Sequence, residues 1–193
     1  MWHGVLSDSR FHSILTKFDG EMAAQAQKRG CECGGRLHCA SYPRKPRGGP
    51  GDLGPQYQRR WSYCCAVDGC RRRTTPISVR FLGRRVYLGI VVVLATAMQQ
   101  GLSPRRIGSL QRELGISVRT LRRWQQWWRE TFPCSDVWRG ERARFMPPVE
   151  ENGLRQAALE RFEGAAGEPV FRFLRLLAPL TTTSATAMAL PTR

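Results

Sequence analysis

The sequence has no apolar stretch of the twenty or so residues that a membrane-spanning helix needs. Its longest run, Val86 to Met98, is thirteen residues and contains Gly89 and Thr96, so it reads as a buried helix. The N-terminus lacks a basic stretch followed by an apolar core, because Asp8, Arg10 and His12 interrupt it. Export is therefore not expected, and the cytosol is the expected compartment. Acidic residues are scarce: fifteen Asp and Glu face thirty-one Lys and Arg, for a net charge of +16 over 193 residues. Lysine is scarcer still, with three in the chain. Genomic base composition can favour Arg over Lys, but it does not produce a net excess of charge. Residues 31–130 hold eighteen Arg and one Lys against five acids, which is fourteen of the sixteen net charges. Such a segment calls for a polyanionic partner.

Of seven cysteines, six fall between Cys31 and Cys70. In a reducing compartment this clustering points to a metal before it points to disulfides. Structural zinc takes four thiolate or imidazole ligands in a tetrahedron, and ribbon folds supply them as two close pairs from two turns. One pair lies in Cys31-Glu32-Cys33-Gly34-Gly35, where the glycines permit a tight turn. The other is Cys64 or Cys65 with Cys70, with Gly69 in the turn. A single residue within the first pair is tighter than the usual two to four, so His38 or Cys39 could replace one of its members, as Cys64 could replace Cys65. Cys134 stands apart and reads as an ordinary thiol. No HExxH pattern, and no HxE with a downstream CxxC, is present, so the expected metal is structural.

Along the chain, Phe11, Ile14, Leu15 and Phe18 define an amphipathic helix within residues 1–30, with Asp8 or Ser9 available as its cap. Residues 31–80 are rich in Gly, Pro, Cys and alternating positions, which predicts short strands and turns. Within them, 42–51 form an exposed basic loop carrying Arg44, Lys45 and Arg47. Residues 81–131 turn to helical periodicity in three helices, broken at Gly101 to Pro104 and at Gly115 to Ser117. Residues 132–180 combine loop with short helices at Leu154 to Phe162 and Val170 to Leu177. Residues 181–193 form a disordered tail.

The segment from Leu102 to Trp124 carries the strongest local signal. Ser103 suits a cap and Pro104 a first helical position, and Ile107, Leu110 and Leu114 make a buried stripe. Gly115 supplies a left-handed turn, Ile116 enters the core, and Ser117 caps a second helix whose inner stripe is Leu121, Trp124 and Trp128. The outer face of that helix carries Val118, Arg119, Arg122, Arg123 and Gln126, next to Ser117 and Thr120 at its start. A helix laid in the major groove presents such residues to base edges, where Arg bonds guanine O6 and N7 together. Arg105 and Arg106 start the preceding helix, a position suited to phosphate. Gln111 occupies the place where a helix pair of this kind prefers a small residue, so either the crossing is loose or Gly108 supplies the close approach. Trp124, Trp127 and Trp128 read as core rather than as base-stacking platforms.

A Cys-rich ribbon, then Arg-Arg-Arg-Thr-Thr-Pro, a hydrophobic helix and Gly-Ile-Ser-x-Arg-Thr-Leu-x-Arg-Trp resembles the N-terminal DNA-binding portion of insertion-sequence transposases and their short orphan relatives. The resemblance covers residues 31 to about 131. It implies a zinc ribbon followed by a helix-turn-helix, with Cys31, Cys33, Cys65 and Cys70 on Zn2+ and Arg119, Arg122 and Arg123 facing DNA. Those transposases also need three acids that hold two divalent metals for phosphoryl transfer. The seven acids after residue 131 lie on a stretch too short and loop-rich for the required α/β domain.

The expected fold class is accordingly α+β, mostly α: a small ribbon-like β module, then a helix-turn-helix domain, with irregular flanks. The expected function is sequence-specific binding of double-stranded DNA, as a nucleoid-associated, transposase-related accessory or transcriptional regulator that is not an enzyme. A transposase or another protein is a further candidate partner. The competing readings are a protein-interaction module, or an RNA-binding protein, with only non-specific nucleic-acid contact. No heptad run specifies an oligomer.

Overall fold

A computed structural model describes residues 3–43, 48–49, 53–82, 87–89, 104–145, 147–149, 164 and 167–182. The fold mixes helices with small antiparallel sheets. Of the expected loop at 42–51, Tyr42–Pro43 form a strand instead and the cations of 44–47 lie outside the described residues. Of the expected disordered tail at 181–193, Thr181 ends a 3-10 turn and 183–193 lie outside the described residues, as do most of the hydrophobic helix at 86–98, the cap Ser103 and the helix at 154–162.

After a single turn at His3–Leu6, helix α1 runs from Ser9–Arg29. Asp8 starts it, its carboxylate accepting from the N–H groups of Arg10 at 2.9 Å and Phe11 at 3.4 Å. The buried stripe is not the one that hydrophobicity alone marks out. Ile14 is 51% exposed, whereas Phe11, His12, Leu15, Asp19 and Ala23 are buried. Two polar side chains thus face inward, and both find partners there.

Next come β1 (Leu37–Cys39), β2 (Tyr42–Pro43), a 3-10 turn at Pro55–Gln58, β3 (Arg59–Arg60), β4 (Tyr63–Cys65) and β5 (Arg73–Thr74). Strands β1, β4 and β5 form one antiparallel sheet in that order, while β2 pairs with β3. The register sets Leu37 against Cys65, His38 against Cys64, Tyr63 against Thr74 and Cys64 against Arg73. Successive residues alternate faces. Leu37, Tyr63 and Cys65 accordingly turn inward and join Ala23 of α1 and Cys31 in a small core.

Residues 81–88, expected to open the helical part, instead hold β6 (Phe81–Leu82) and β7 (Tyr87–Leu88), an antiparallel pair. Phe81, Leu82 and Leu88 are all buried, so both faces of this short pair are covered, and Gly83-Arg84-Arg85 interrupts the apolar sequence between its two strands. Helices α2 (Pro104–Leu114) and α3 (Val118–Gln126) follow, and α3 continues into a π-helical turn at Trp127–Thr131. The stretch from 132, expected to be loop, contains α4 (Asp136–Glu141). Ser135 caps it by accepting from the Trp138 N–H at 3.2 Å, and Trp138 is buried. Helix α5 (Glu168–Leu177) leads into a 3-10 turn at Ala178–Thr181, as the apolar stripe there predicts.

The second and larger core gathers Leu110, Leu114, Ile116, Leu121 and Trp124 from the helix pair, the rings of Trp127, Trp128, Phe132 and Trp138, and Phe173, Leu174 and Leu177 of α5. Trp128 stacks on Phe173 with centroids 5.7 Å apart and ring planes 17° apart. The π turn makes this possible: the Phe132 N–H donates to Trp127 O at 2.9 Å, and the widened turn brings Trp127, Trp128 and Phe132 onto one side.

Helix α1 belongs to both cores. Its Asp19, fully buried, accepts from Arg80 Nε at 2.7 Å, from Ser78 Oγ at 2.5 Å and from the Val79 N–H at 2.8 Å. The Arg80 guanidinium also donates to Gln56 O at 2.9 Å and lies 5.3 Å from the Tyr57 ring centroid. Tyr57 OH donates to His12 O at 3.1 Å. A charge pair this deep is tolerable only because its lone pairs and protons are satisfied.

Candidate metal centre and nucleic-acid interface

The thiols of Cys31, Cys33, Cys65 and Cys70 all lie within 4.8 Å of one another. Cys31 Sγ is 3.8 Å from Cys70 Sγ, and Cys33 Sγ is 3.5 Å from Cys65 Sγ. Four sulfurs about 2.3 Å from a central ion sit on a tetrahedron whose edge is about 3.8 Å. The spacing and the all-thiol donor set therefore fit a four-coordinate metal site.

Two turns deliver these ligands. In the first, the Gly34 N–H donates to Cys31 O at 2.8 Å and the Cys31 N–H to Gly35 O at 2.9 Å. Gly35 must be glycine for want of space. A Cβ there would come within 2.7 Å of Cys65 Sγ and 2.6 Å of Val67 Cγ2. In the second turn, the Cys70 N–H donates to Val67 O at 3.1 Å. The Val67 N–H donates to Cys65 Sγ at 3.4 Å and favours its thiolate, but desolvation and the neighbouring thiols of Cys33, Cys31 and Cys70 prevail and push Cys65 up to about 12. A cation among the four sulfurs inverts that balance, since coordinated thiols are deprotonated.

The alternates considered for this set are not brought to it. Cys64 and His38 face each other on the outer side of the sheet, and Cys64 Sγ is 3.4 Å from Arg71 O. Cys39 is exposed with its Sγ 3.2 Å from Ser41 Oγ, and that hydroxyl holds its thiol below the ordinary range. One residue of register decides which of Cys64 and Cys65 faces inward, and the sequence alone does not fix register.

In the helix pair, Gly115 has φ +60 and its N–H donates to Gln111 O at 3.0 Å, ending α2. Ile116 is buried, and Ser117 Oγ accepts from the Thr120 N–H at 3.3 Å to start α3. Leu121 and Trp124 point into the large core, leaving Arg119, Arg122 and Gln126 exposed and Thr120, Val118 and Arg123 half-buried. Gln126 Nε2 donates to Glu130 Oε2 at 2.9 Å. Arg105 is exposed on the first turn of α2. The side chain of Arg106, and Arg44, Lys45 and Arg47, lie outside the described residues. Gly108 does not provide a close helix crossing: a Cβ there would meet nothing within 4 Å, and Gln111 is exposed.

The inward-facing Asp19 and its partner Arg80 escaped sequence reasoning. Asp19 follows Leu15 at the helical i+4 position, which places it on the buried stripe, but nothing local announces a partner sixty-one residues on. Among the described residues, the four cysteines are the one group of three or more His, Cys, Asp or Glu side chains close enough to hold a metal, and no helix is long and apolar enough to cross a membrane. Comparison with known proteins gives no match to a family model, a curated protein or a solved structure.

Proposed function

We propose that this chain is a zinc-stabilised protein that recognises a specific sequence in double-stranded DNA through α3, and that it acts as an accessory or regulator related to transposases rather than as an enzyme. The supporting observation is the outer face of α3. Arg119, Arg122 and Gln126 stand exposed on a helix whose entry is set by a Gly-Ile-Ser turn and whose inner side is fixed by Leu121 and Trp124. A rigidly mounted helix is what base readout needs, since side chains must meet donor and acceptor patterns on base edges in register. In this reading Arg122 bonds a guanine, Arg119 and Gln126 read neighbouring bases, and Ser117, Thr120, Arg123, Arg105 and Arg106 approach the backbone. Arg44, Lys45 and Arg47 add contacts without sequence preference.

The four thiols would hold Zn2+, which has the preference for tetrahedral sulfur and the lack of redox chemistry that a structural site requires. Cys31 and Cys33 would tie the end of α1 to the turn, and Cys65 and Cys70 would tie β4 to β5. The role of the ion is to fold the sheet module.

The test is the affinity of the zinc-loaded protein for a duplex enriched from a random pool and for scrambled controls, across a salt series. A preference of about 10³ or more at physiological salt is expected. The Arg122→Ala variant should lose about 1 to 3 kcal/mol of that preference, concentrated at one base pair, with little change on scrambled duplexes. Equal loss on every duplex removes α3 from the groove. Equal, steeply salt-dependent binding by the unaltered protein replaces this reading with non-specific polyanion contact.

A further inference from the structure

The sheet module has a second side that the metal does not use. With Leu37, Tyr63 and Cys65 turned inward, the alternate residues of β1, β4 and β5 turn out. Hydrogen bonds extend the ladder by one residue, from the Ala66 N–H to Arg36 O at 2.9 Å and from the Cys65 N–H to Arg72 O at 3.0 Å. The outward rows are therefore Arg36 and Ala66, then His38, Cys64 and Arg73, while Arg71, at φ +42 with its N–H on Val67 O at 3.2 Å, ends the turn that leads into β5. Arg36, His38, Arg71 and Arg73 are exposed, and Ala66 and Cys64 half-buried between them. The carboxylate nearest these rows is Asp68, paired with Arg71 at 2.6 Å, and both partners are open to solvent, so the pair is weak and exchangeable. The Arg73 guanidinium lies 5.6 Å from the Tyr42 ring centroid and is held against the sheet.

Strands about 4.8 Å apart and alternate residues about 6.7 Å apart put the Arg36 and Arg73 stems about 10 Å apart across the sheet and about 7 Å apart along it, with exposed Arg71 in the adjoining turn. A flat, cationic surface of that kind suits a row of phosphates rather than a base edge. The Tyr42 ring beside it carries the Arg73 guanidinium on one face, which a stacked base of a single strand would have to displace. We infer that the outward face of the β1–β4–β5 sheet is a second contact with duplex DNA, gripping its phosphates through Arg36, Arg71 and Arg73. The inference rests on the reading of α3 as a DNA-binding helix and adds the partner surface that anchors it. Residues 44–47, with three more cations, follow Pro43 of the neighbouring β2–β3 pair in sequence.

The experiment uses the full, zinc-loaded chain carrying Arg36→Ala and Arg73→Ala together, with Arg172→Ala on α5 as a control for overall charge. In the double variant the slope of log affinity against log salt should become shallower by about 1.8, the value for two lost phosphate contacts. Binding to preferred and scrambled duplexes should fall by the same factor, and one zinc per chain should remain. An unchanged slope overturns the inference, as does an equal change in the Arg172→Ala variant or a selective loss on the preferred duplex alone. The two readings fail separately. If the unaltered protein prefers no duplex, the α3 reading falls, yet a shallower slope in the double variant still assigns DNA to the sheet face. If preference stands and the slope does not move, the sheet face alone is refuted.

Discussion

The two cores of this molecule are held by different physics. Around the cysteines, the buried cluster among the described residues is Ala23, Cys31, Leu37, Tyr63 and Cys65, with Ala26 and Cys70 packed against it, and the strands above it are two or three residues long. Around the tryptophans, twenty-four buried residues among those described include four Trp and five Phe. Burial of large aromatic surface suffices for the second region. It cannot suffice for the first, because a module this small needs a cross-link or a metal to offset the entropy of ordering its loops. On the proposed reading, a four-thiol metal centre would be the folding device in one part of a chain whose other part has a large aromatic core. The region that carries the outward Arg face would then depend on the ion, and the region that carries α3 would not.

Removing the metal should separate the two most strongly. Structural zinc contributes on the order of 10 kcal/mol to modules of this size. A strong chelator, or Cys65→Ser, should therefore bring amide exchange in residues 31–74 close to the unprotected rate, while the near-ultraviolet signal of the buried tryptophans persists. If protection in 31–74 survives chelation, the sheet module folds by its own contacts and the metal reading fails. If the tryptophan signal collapses with it, the two regions form one cooperative unit.

The joint between them should come next. Asp19→Ala leaves the Arg80 guanidinium, 1% exposed, without its carboxylate, and removes the acceptor of Ser78 Oγ and the Val79 N–H. A buried charge stripped of its partner costs about 3 to 5 kcal/mol, read as a lowered denaturant midpoint with the metal saturated. Replacing both partners with apolar residues, Asp19→Leu with Arg80→Met, should recover most of the loss, because no charge is then stranded. A loss below about 1 kcal/mol in Asp19→Ala would show that α1 is held by its apolar contacts alone.

How much of this was legible beforehand follows from which interactions are local. The Gly115-Ile116-Ser117 turn, the Ser117 cap and the Leu121 and Trp124 stripe are decided within a few residues, and they stand where periodicity put them. The cysteine set was legible as a set, but the choice between Cys64 and Cys65 depended on strand register, which the chain fixes only by pairing β1 with β4. Phe81 to Leu88 looked helical because Tyr87 and Leu88 lie in the apolar run from Val86 to Met98, and Gly83-Arg84-Arg85, which separates them from Phe81 and Leu82, was passed over as a break. Trp138 and its cap Ser135 were passed over because Pro133 and the surrounding polar residues resemble a loop, although the Ser-Asp start of α4 was there to be read. Asp19 and Arg80 meet across the fold, and no local pattern encodes that.

The smallest effect sharpens the comparison at the entry to α3, where fold and recognition share an atom. Ser117 Oγ accepts from the Thr120 N–H and lies 3.0 Å from Thr120 Oγ1, so the same hydroxyl that starts the helix lies at the end expected to meet DNA. Ser117→Ala should lower stability by about 1 kcal/mol, the ordinary worth of such a cap, without touching the metal centre. Ser117→Asp separates the two roles. A carboxylate caps as well as a hydroxyl and suits the positive end of the helix, so stability should hold. The new charge would nevertheless face the phosphates and weaken binding to every duplex, more at low salt than at high. Undiminished binding by Ser117→Asp would place this end of α3 away from DNA, and the helix would then have to enter the groove by another face.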